Sequence, residues 1–320
     1  MYRVPMIFPG QASQAVGMAK DLATQPGPAA EFLANIDTVL GYDLSRLMYE
    51  GPLEVLTETR NAQPAILAHS VSVFLALREL GVHPSIVAGH SLGEFSAAVT
   101  VAALAPEDGL RLVRRRGELM YAAGLEQPGT MAAVMGLDAH EVREICAAVT
   151  AEVGIVCLAN HNSPNQVVIS GELAAVKVAQ EALRAAGAKR VIGLPVSGAF
   201  HSPLLAEAAE QFATDLEGVI VAAPSAPLVA NVTARAATTA DELKDGFRRQ
   251  LTAPVLWQDS LAEIIHGDNS SRHSSVVLEV GPGRVLSNMA KRTYPDVKFI
   301  PVGTVDDLNN VLEFLAENLR

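Results

Sequence analysis

Ile86-Val87-Ala88-Gly89-His90-Ser91-Leu92-Gly93-Glu94 is the stretch whose reading decides the fold. Three apolar residues make a short buried strand, Gly89 ends it, and the small residues from Leu92 to Leu104 have helical spacing. Gly89-x-Ser91-x-Gly93 therefore places a serine on a strand–turn–helix. That is the geometry of a nucleophile elbow, where a sharp turn lifts the hydroxyl clear of the sheet and only glycine fits beside it. Pattern alone is weak, since ordinary Gly and Ser usage gives a chance match in roughly one such chain in ten. The plain alternative is a glycine-flanked strand end with a buried serine cap. The flanking strand and helix favour the elbow.

Outward from the elbow, Val4 to Phe8 is a second short apolar run, closed by Pro9-Gly10. Helical patterns are expected at 13–23, 29–40, 52–57 and 64–80, and again from Pro106 to about Gly124, with proline and acids in the first turn. The middle changes character. Strand 130–137, helix 138–149, strands 153–160 and 166–170, helix 172–186 and strand 189–196 follow in the order βαββαβ, a ferredoxin-like signature. Beyond it come helix 203–216, a strand near 226–231, helices 240–250 and 255–265, and a polar loop from His266 to Ser275. Strand 276–280, helix 284–293, strand 297–302 and helix 306–319 complete the chain. Strands separated by helices imply parallel pairing and an α/β core. The expected domains are a core of 1–126 with 199–320, and a ferredoxin-like insertion of 127–198.

The 320 residues are 49% apolar and 18% charged, enough for a sizeable core and far from a disordered composition. Lys and Arg number 24 against 35 Asp and Glu, a net charge of −11 with no long basic run, which argues against nucleic-acid binding. Two cysteines, Cys146 and Cys157, exclude a disulfide scaffold or a Cys-rich metal site and fit a reducing cytoplasm. The longest apolar run, Phe95 to Ala105, is too short to span a membrane, and no signal peptide is legible. A cytoplasmic location is expected.

A serine hydroxyl needs a base. Of the eight histidines, the turn should aim His90 away from its neighbour Ser91. His140 opens an exposed helix, His266 closes one, His273 lies in a polar loop, and His69 and His83 have ordinary contexts. His161 and His201 remain. His201, in the apolar junction Val196-Ser197-Gly198-Ala199-Phe200-His201, is modestly preferred, against a structural junction histidine. Arg114, Arg115 and Arg116 are adjacent on one helix, where successive side chains point about 100° apart. One of them can turn inward to meet a carboxylate with its planar fork, and periodicity does not choose which; the bland reading is a solvated basic face. Gly281-Pro282-Gly283 lacks the third glycine of a dinucleotide fingerprint, and no P-loop or metal-ligand spacing occurs.

At this point the chain resembles the malonyl-CoA:acyl carrier protein transacylases of fatty-acid and polyketide synthesis, over essentially its whole length. The ordered matches are Phe8-Pro9-Gly10-Gln11-Ala12-Ser13-Gln14, Gly89 to Glu94, Arg116-Gly117, Asn160-His161-Asn162-Ser163-Pro164, Gly198 to His201, Gln250 to Trp257, and Glu279-Val280-Gly281-Pro282-Gly283. The resemblance implies a hydrolase-like parallel core with the ferredoxin-like insertion. It implies Ser91 as nucleophile, His201 as base and Arg116 as the holder of the malonyl carboxylate. It implies an oxyanion hole of the Gln11 and Leu92 N–H groups, and the Gln250 main-chain carbonyl, in place of an acid, orienting the imidazole. Phe200 resembles the malonyl-selecting version of its motif.

The function so implied is malonyl transfer from malonyl-CoA to the phosphopantetheine thiol of a holo acyl carrier protein. CoA thioester is then a substrate; no cofactor or metal is expected, and the chain is expected to be a monomer. Arg284, Lys291, Arg292, Lys189 and Arg190 are candidates for a basic patch facing the acidic carrier, with scattered solvated charge as the alternative. The rival functions are an editing serine hydrolase of the same architecture and a non-catalytic docking subunit. One departure stands out: the family usually has glycine where this chain has Ala12. If φ is positive there, alanine costs about 1 kcal/mol.

Overall fold

β1 (Tyr2–Phe8) has strands hydrogen-bonded on both sides, which is why its apolar run shows no polar alternation. Its successive side chains still part company, with Met6 and Phe8 buried in one core and Ile7 in another across the sheet. In the computed structural model, which describes residues 1–196, 198–267 and 274–318, the chain is α/β with a second, antiparallel sheet.

After β1 come α1 (Pro28–Leu40), α2 (Leu44–Glu50), α3 (Leu53–Thr57), α4 (Thr59–Glu79) and β2 (Val82–Gly89). The elbow leads into α5 (Gly93–Thr100) and then α6 (Pro106–Glu126). Next are β3 (Gly129–Met135), α7 (Ala139–Glu152), β4 (Val156–Ser163), β5 (Gln166–Glu172), α8 (Leu173–Ala185) and β6 (Arg190–Gly193). The last part holds α9 (Ala206–Glu217), β7 (Leu228–Val229), β8 (Ala236–Ala237), α10 (Ala240–Gln250) and α11 (Trp257–His266). β9 (Val276–Val280), α12 (Val285–Ala290), β10 (Lys298–Val302) and α13 (Val305–Asn318) complete it.

The main sheet runs β10-β9-β1-β2-β7-β8, parallel except for the antiparallel edge strand β8. The second sheet runs β4-β5-β3-β6, wholly antiparallel, the order a ferredoxin-like βαββαβ unit produces. α7 and α8 contribute Val142, Cys146, Val176 and Leu183 to a separate core on that sheet. β4 is tied through backbone to the segment between α10 and α11: His161 N–H donates to Val255 O, and Val255 N–H donates to Ala159 O, both at 2.9 Å.

Several local expectations are corrected. No α-helix forms over 13–23, because Gly17 and Ala19 take φ of 92° and 61° and only a single 3-10 turn survives, at Leu22–Thr24. α4 begins five residues before the expected proline start and carries Pro64 in its interior. Proline cannot donate to the Arg60 carbonyl one turn back; Arg114 Nη1 donates to that carbonyl instead, at 2.9 Å. β2 is longer than the expected 86–88 and includes Pro84, tolerated because β7 pairs only with Val87 and Ala88. α2 and the two-residue β8 carried no legible pattern. α12 stops at Ala290, so Lys291 and Arg292 follow the helix rather than riding on it. Residues 268–273 of the expected polar loop, His273 among them, lie outside the described residues. Among the described residues, no helix is long and apolar enough to cross a membrane.

Candidate active site

The elbow is built by exclusion of side chains. A Cβ on Gly89 would sit 1.8 Å from the Gly93 carbonyl carbon, and one on Gly93 would sit 2.1 Å from Phe8 O. Neither position admits any residue but glycine, so β1, β2 and α5 meet backbone to backbone. Ser91 between them takes φ of 52°, in the left-handed region. Asn231, just after β7, braces that turn: its Oδ1 accepts from Ser91 N–H at 2.8 Å and its Nδ2 donates to Gly89 O at 2.7 Å.

His201 reaches Ser91 from a distant part of the chain, with Ser91 Oγ 2.8 Å from its Nε2. Its Nδ1 lies 2.9 Å from the Gln250 carbonyl and 3.2 Å from that of Ala253. Carbonyls only accept, so the proton is on Nδ1 and the Nε2 lone pair faces the serine hydroxyl. This is the arrangement a general base requires. Burial, and next the Arg116 charge, hold the imidazole down to about 3, against the pull of the Gln250 carbonyl. It is therefore neutral at physiological pH. His201 is itself at φ 55°, and Cys157 Sγ donates to its carbonyl at 3.7 Å.

The three arginines separate as helical geometry demands. Arg115 is at the surface with Asp215, and Arg114 pairs with Glu118 and stacks on Tyr42. Arg116 alone is wholly buried. Its Nη1 donates to Gln63 Oε1 at 2.7 Å, and its Nη2 donates to Gln250 Oε1 at 2.9 Å and to Ser91 Oγ at 3.2 Å. The guanidinium thus lies beside the serine hydroxyl on neutral partners, where a ligand carboxylate could complete its charge. Burial lowers its pKa to about 10, so it stays cationic at neutral pH.

Gln11 follows the tight Gly10 turn, where a Cβ would lie 2.6 Å from His90 O, so its backbone abuts the elbow. Leu92 leads directly into α5. Ala12 has φ of 74°, the conformation for which glycine is preferred. Phe200 is buried with its ring edge where a Gly198 Cβ would be, 2.6 Å away. Among the described residues, three other histidines make no hydrogen bond to Ser91. His90 meets Asn162 Oδ1 at 2.9 Å and packs edge-on against Trp257; His69 meets Gly303 O at 2.7 Å; His161 is half-buried in β4.

Three site residues escaped sequence reasoning. Gln63 and Asn231 carried only faint signals, a polar residue within an apolar helix and another ending a buried strand. Glu94 closes the elbow motif, where its spacing alone implies no role. Its carboxyl is buried and pushed up to about 7 by desolvation, against the Gln250 amide, the Asn231 backbone and Arg116. Gln250 Nε2 donates to Glu94 Oε2 at 2.5 Å and to Ser91 O at 3.0 Å. Among the described residues, no group of three or more His, Cys, Asp or Glu could hold a metal ion.

A glycine-flanked serine, a neutral buried imidazole and a buried guanidinium at the carboxyl end of a parallel sheet define an enzyme that handles acyl groups. The chain belongs to the acyl transferase domain family, whose model matches residues 6–310, and is an acyltransferase. It is 40% identical over 319 residues to the malonyl CoA-acyl carrier protein transacylase of Haemophilus influenzae, covering 99% of this chain and 100% of that one. To the protein of the same name from Bacillus subtilis (strain 168) it is 38% identical over 317 residues, with 99% and 98% covered. Among solved structures, an acyl carrier protein S-malonyltransferase from Vibrio cholerae superposes with a TM-score of 0.90 at 38% identity, covering 96% of this chain and 99% of that one. A malonyl-transacylase in complex with the holo acyl-carrier protein of a type II polyketide synthase gives 0.91 at 39% identity, with 98% and 99% covered.

Proposed function

We propose that this chain moves a malonyl group from malonyl-CoA to the phosphopantetheine thiol of an acyl carrier protein, through a malonyl ester on Ser91. The observation that carries the reading is the buried Arg116 guanidinium 3.2 Å from Ser91 Oγ. A fixed cation there has no use for a simple acyl chain and an obvious one for an acyl group ending in carboxylate. The transacylase names of its relatives agree and leave the editing hydrolase without support.

His201 Nε2 takes the Ser91 proton as Oγ attacks the thioester carbonyl. The oxyanion receives the Leu92 and Gln11 N–H groups, the first strengthened by the positive end of α5. The imidazolium formed is held by the Gln250 carbonyl on Nδ1, so no carboxylate partner is needed. It returns the proton to the CoA sulfur as the thioester breaks, leaving the acyl-serine. In the second half His201 takes the proton of the carrier thiol, whose sulfur attacks the ester. The proton then goes back to Ser91 Oγ. Arg116 keeps the malonyl carboxylate fixed through both halves, and Phe200, next to His201 in the chain, is the candidate for selecting the acyl group.

Lys189, Arg190, Arg284, Lys291 and Arg292 are all exposed and available to an acidic carrier. Intact-protein mass spectrometry after brief exposure to malonyl-CoA, with holo carrier protein added second, tests the reading. A malonyl adduct on Ser91 that moves to the carrier supports it. An adduct that decays to free malonate with the carrier unmodified overturns it.

A further inference from the structure

Glu94 stands on the first turn of α5, 1% exposed, among the residues that surround Ser91. A carboxyl is costly to bury and persists where it does something for its neighbours. Its Oε2 accepts from Gln250 Nε2, and the Asn231 backbone also faces the carboxyl. Gln250 is the hub of the site: its side-chain oxygen faces Arg116 Nη2, its second amide N–H faces Ser91 O, and its main-chain carbonyl holds His201. Turned over, the amide would set its NH2 against the guanidinium and its oxygen against two acceptors, the Ser91 carbonyl and the Glu94 carboxyl. Of those two acceptors the carboxyl is the one capable of charge, and so the stronger.

We infer that Glu94 is a positioning residue: its buried carboxyl locks the Gln250 side-chain amide, which holds the Arg116 guanidinium in register for the carboxylate of the incoming acyl group. This rests on the malonyl-transfer reading. Glu94 touches no reacting atom, so its loss shows in the choice between acyl groups.

The experiment compares kcat and KM for malonyl-CoA and acetyl-CoA in the full chain carrying Glu94→Met, which fills the space without a comparable acceptor, and Glu94→Gln, which keeps one. Folding is checked by circular dichroism. Losing one charge-assisted hydrogen bond predicts that Glu94→Met lowers malonyl kcat/KM about tenfold, chiefly through KM, while acetyl kcat/KM moves less than about threefold. Glu94→Gln should recover most of the malonyl-over-acetyl ratio. A folded Glu94→Met with an unchanged ratio, equal losses on both acyl groups, or a Glu94→Gln no better than Glu94→Met overturns the inference. Should Glu94→Met not fold, Glu94→Ala is read by the same ratio and the same criteria. A wild-type chain that takes no malonyl group removes the functional reading and this inference with it. A wild-type chain that does, with a ratio indifferent to residue 94, removes the inference alone.

Discussion

Arg116 Nη2 donates to Ser91 Oγ at 3.2 Å, so a fully buried cation touches the hydroxyl that His201 would deprotonate. The contact holds the guanidinium where the far end of a short acyl group would lie. Arg116→Ala is expected to lower malonyl kcat/KM by about 10- to 150-fold, the value of a charge-assisted pair, and to leave acetyl transfer unchanged or improved. Steady-state kinetics on both thioesters decide it, and equal loss on both would refute the carboxylate role.

His201 titrates far below an ordinary imidazole, at about 3, for want of solvation and because Arg116 is near. The base form therefore persists on acidification, and the acid limb of kcat/KM due to His201 lies below about pH 5 rather than near 6.5. An inflection close to 7 would belong to Glu94 and should vanish in Glu94→Gln. A limb near 6.5 that survives Glu94→Gln would contradict the assignment. Stability carries both signs. The unfolded chain protonates His201 first, so this residue removes stability as pH falls below about 6.5. Glu94, raised above its unfolded value of 4.5 to about 7, removes stability as pH rises through that interval. Denaturant titrations of wild type and Glu94→Gln across pH 4 to 8 separate the two contributions.

Asn231 satisfies both the Ser91 N–H and the Gly89 carbonyl at a strained turn. Asn231→Ala leaves the buried Gly89 carbonyl and the part-buried Ser91 N–H without these partners and should cost about 1–3 kcal/mol in urea unfolding. It should also lower the rate of Ser91 acylation in a single-turnover assay. Unchanged stability would mean that water replaces both bonds.

Ala12 at φ 74° is strained by the contact of its Cβ with its own backbone. Ala12→Gly relieves this and loses part of the gain to the freer unfolded chain, for a net stabilisation of about 0.5–1 kcal/mol. A lower denaturant midpoint in Ala12→Gly would show that the loop relaxes around alanine at no cost.

Much of the architecture was legible before any coordinates. The apolar runs at Val4–Phe8, 86–88 and 276–280 read as buried strands because parallel strands lose both faces to helices. Gly89 and Gly93 read as an elbow because no other residue fits where three backbones converge. The βαββαβ order of the middle segment announced its antiparallel sheet. Where reading failed, tertiary contact had overridden local signals. Pro64 sits inside α4 because a distant arginine takes the freed carbonyl, and 13–23 uncoils around two positive φ angles.

Ser91 could be found locally because its chemistry is written in its neighbours, and the sequence alone determined that the chain presents a glycine-flanked serine on an α/β sheet. Sequence left His201 against His161 and the choice among three adjacent arginines open until family resemblance pointed to one of each. The structure adds geometry to both: among the described residues, His201 Nε2 and Arg116 Nη2 are the histidine and arginine groups within hydrogen-bond distance of Ser91 Oγ, across 110 and 25 residues of chain. Gln63, Asn231 and Glu94 emerged from tertiary structure alone. Each is a polar group whose partner is far away in sequence or whose role passes through a second residue. Local spacing encodes which way a side chain points from its own element, and only the packed fold decides what it meets there.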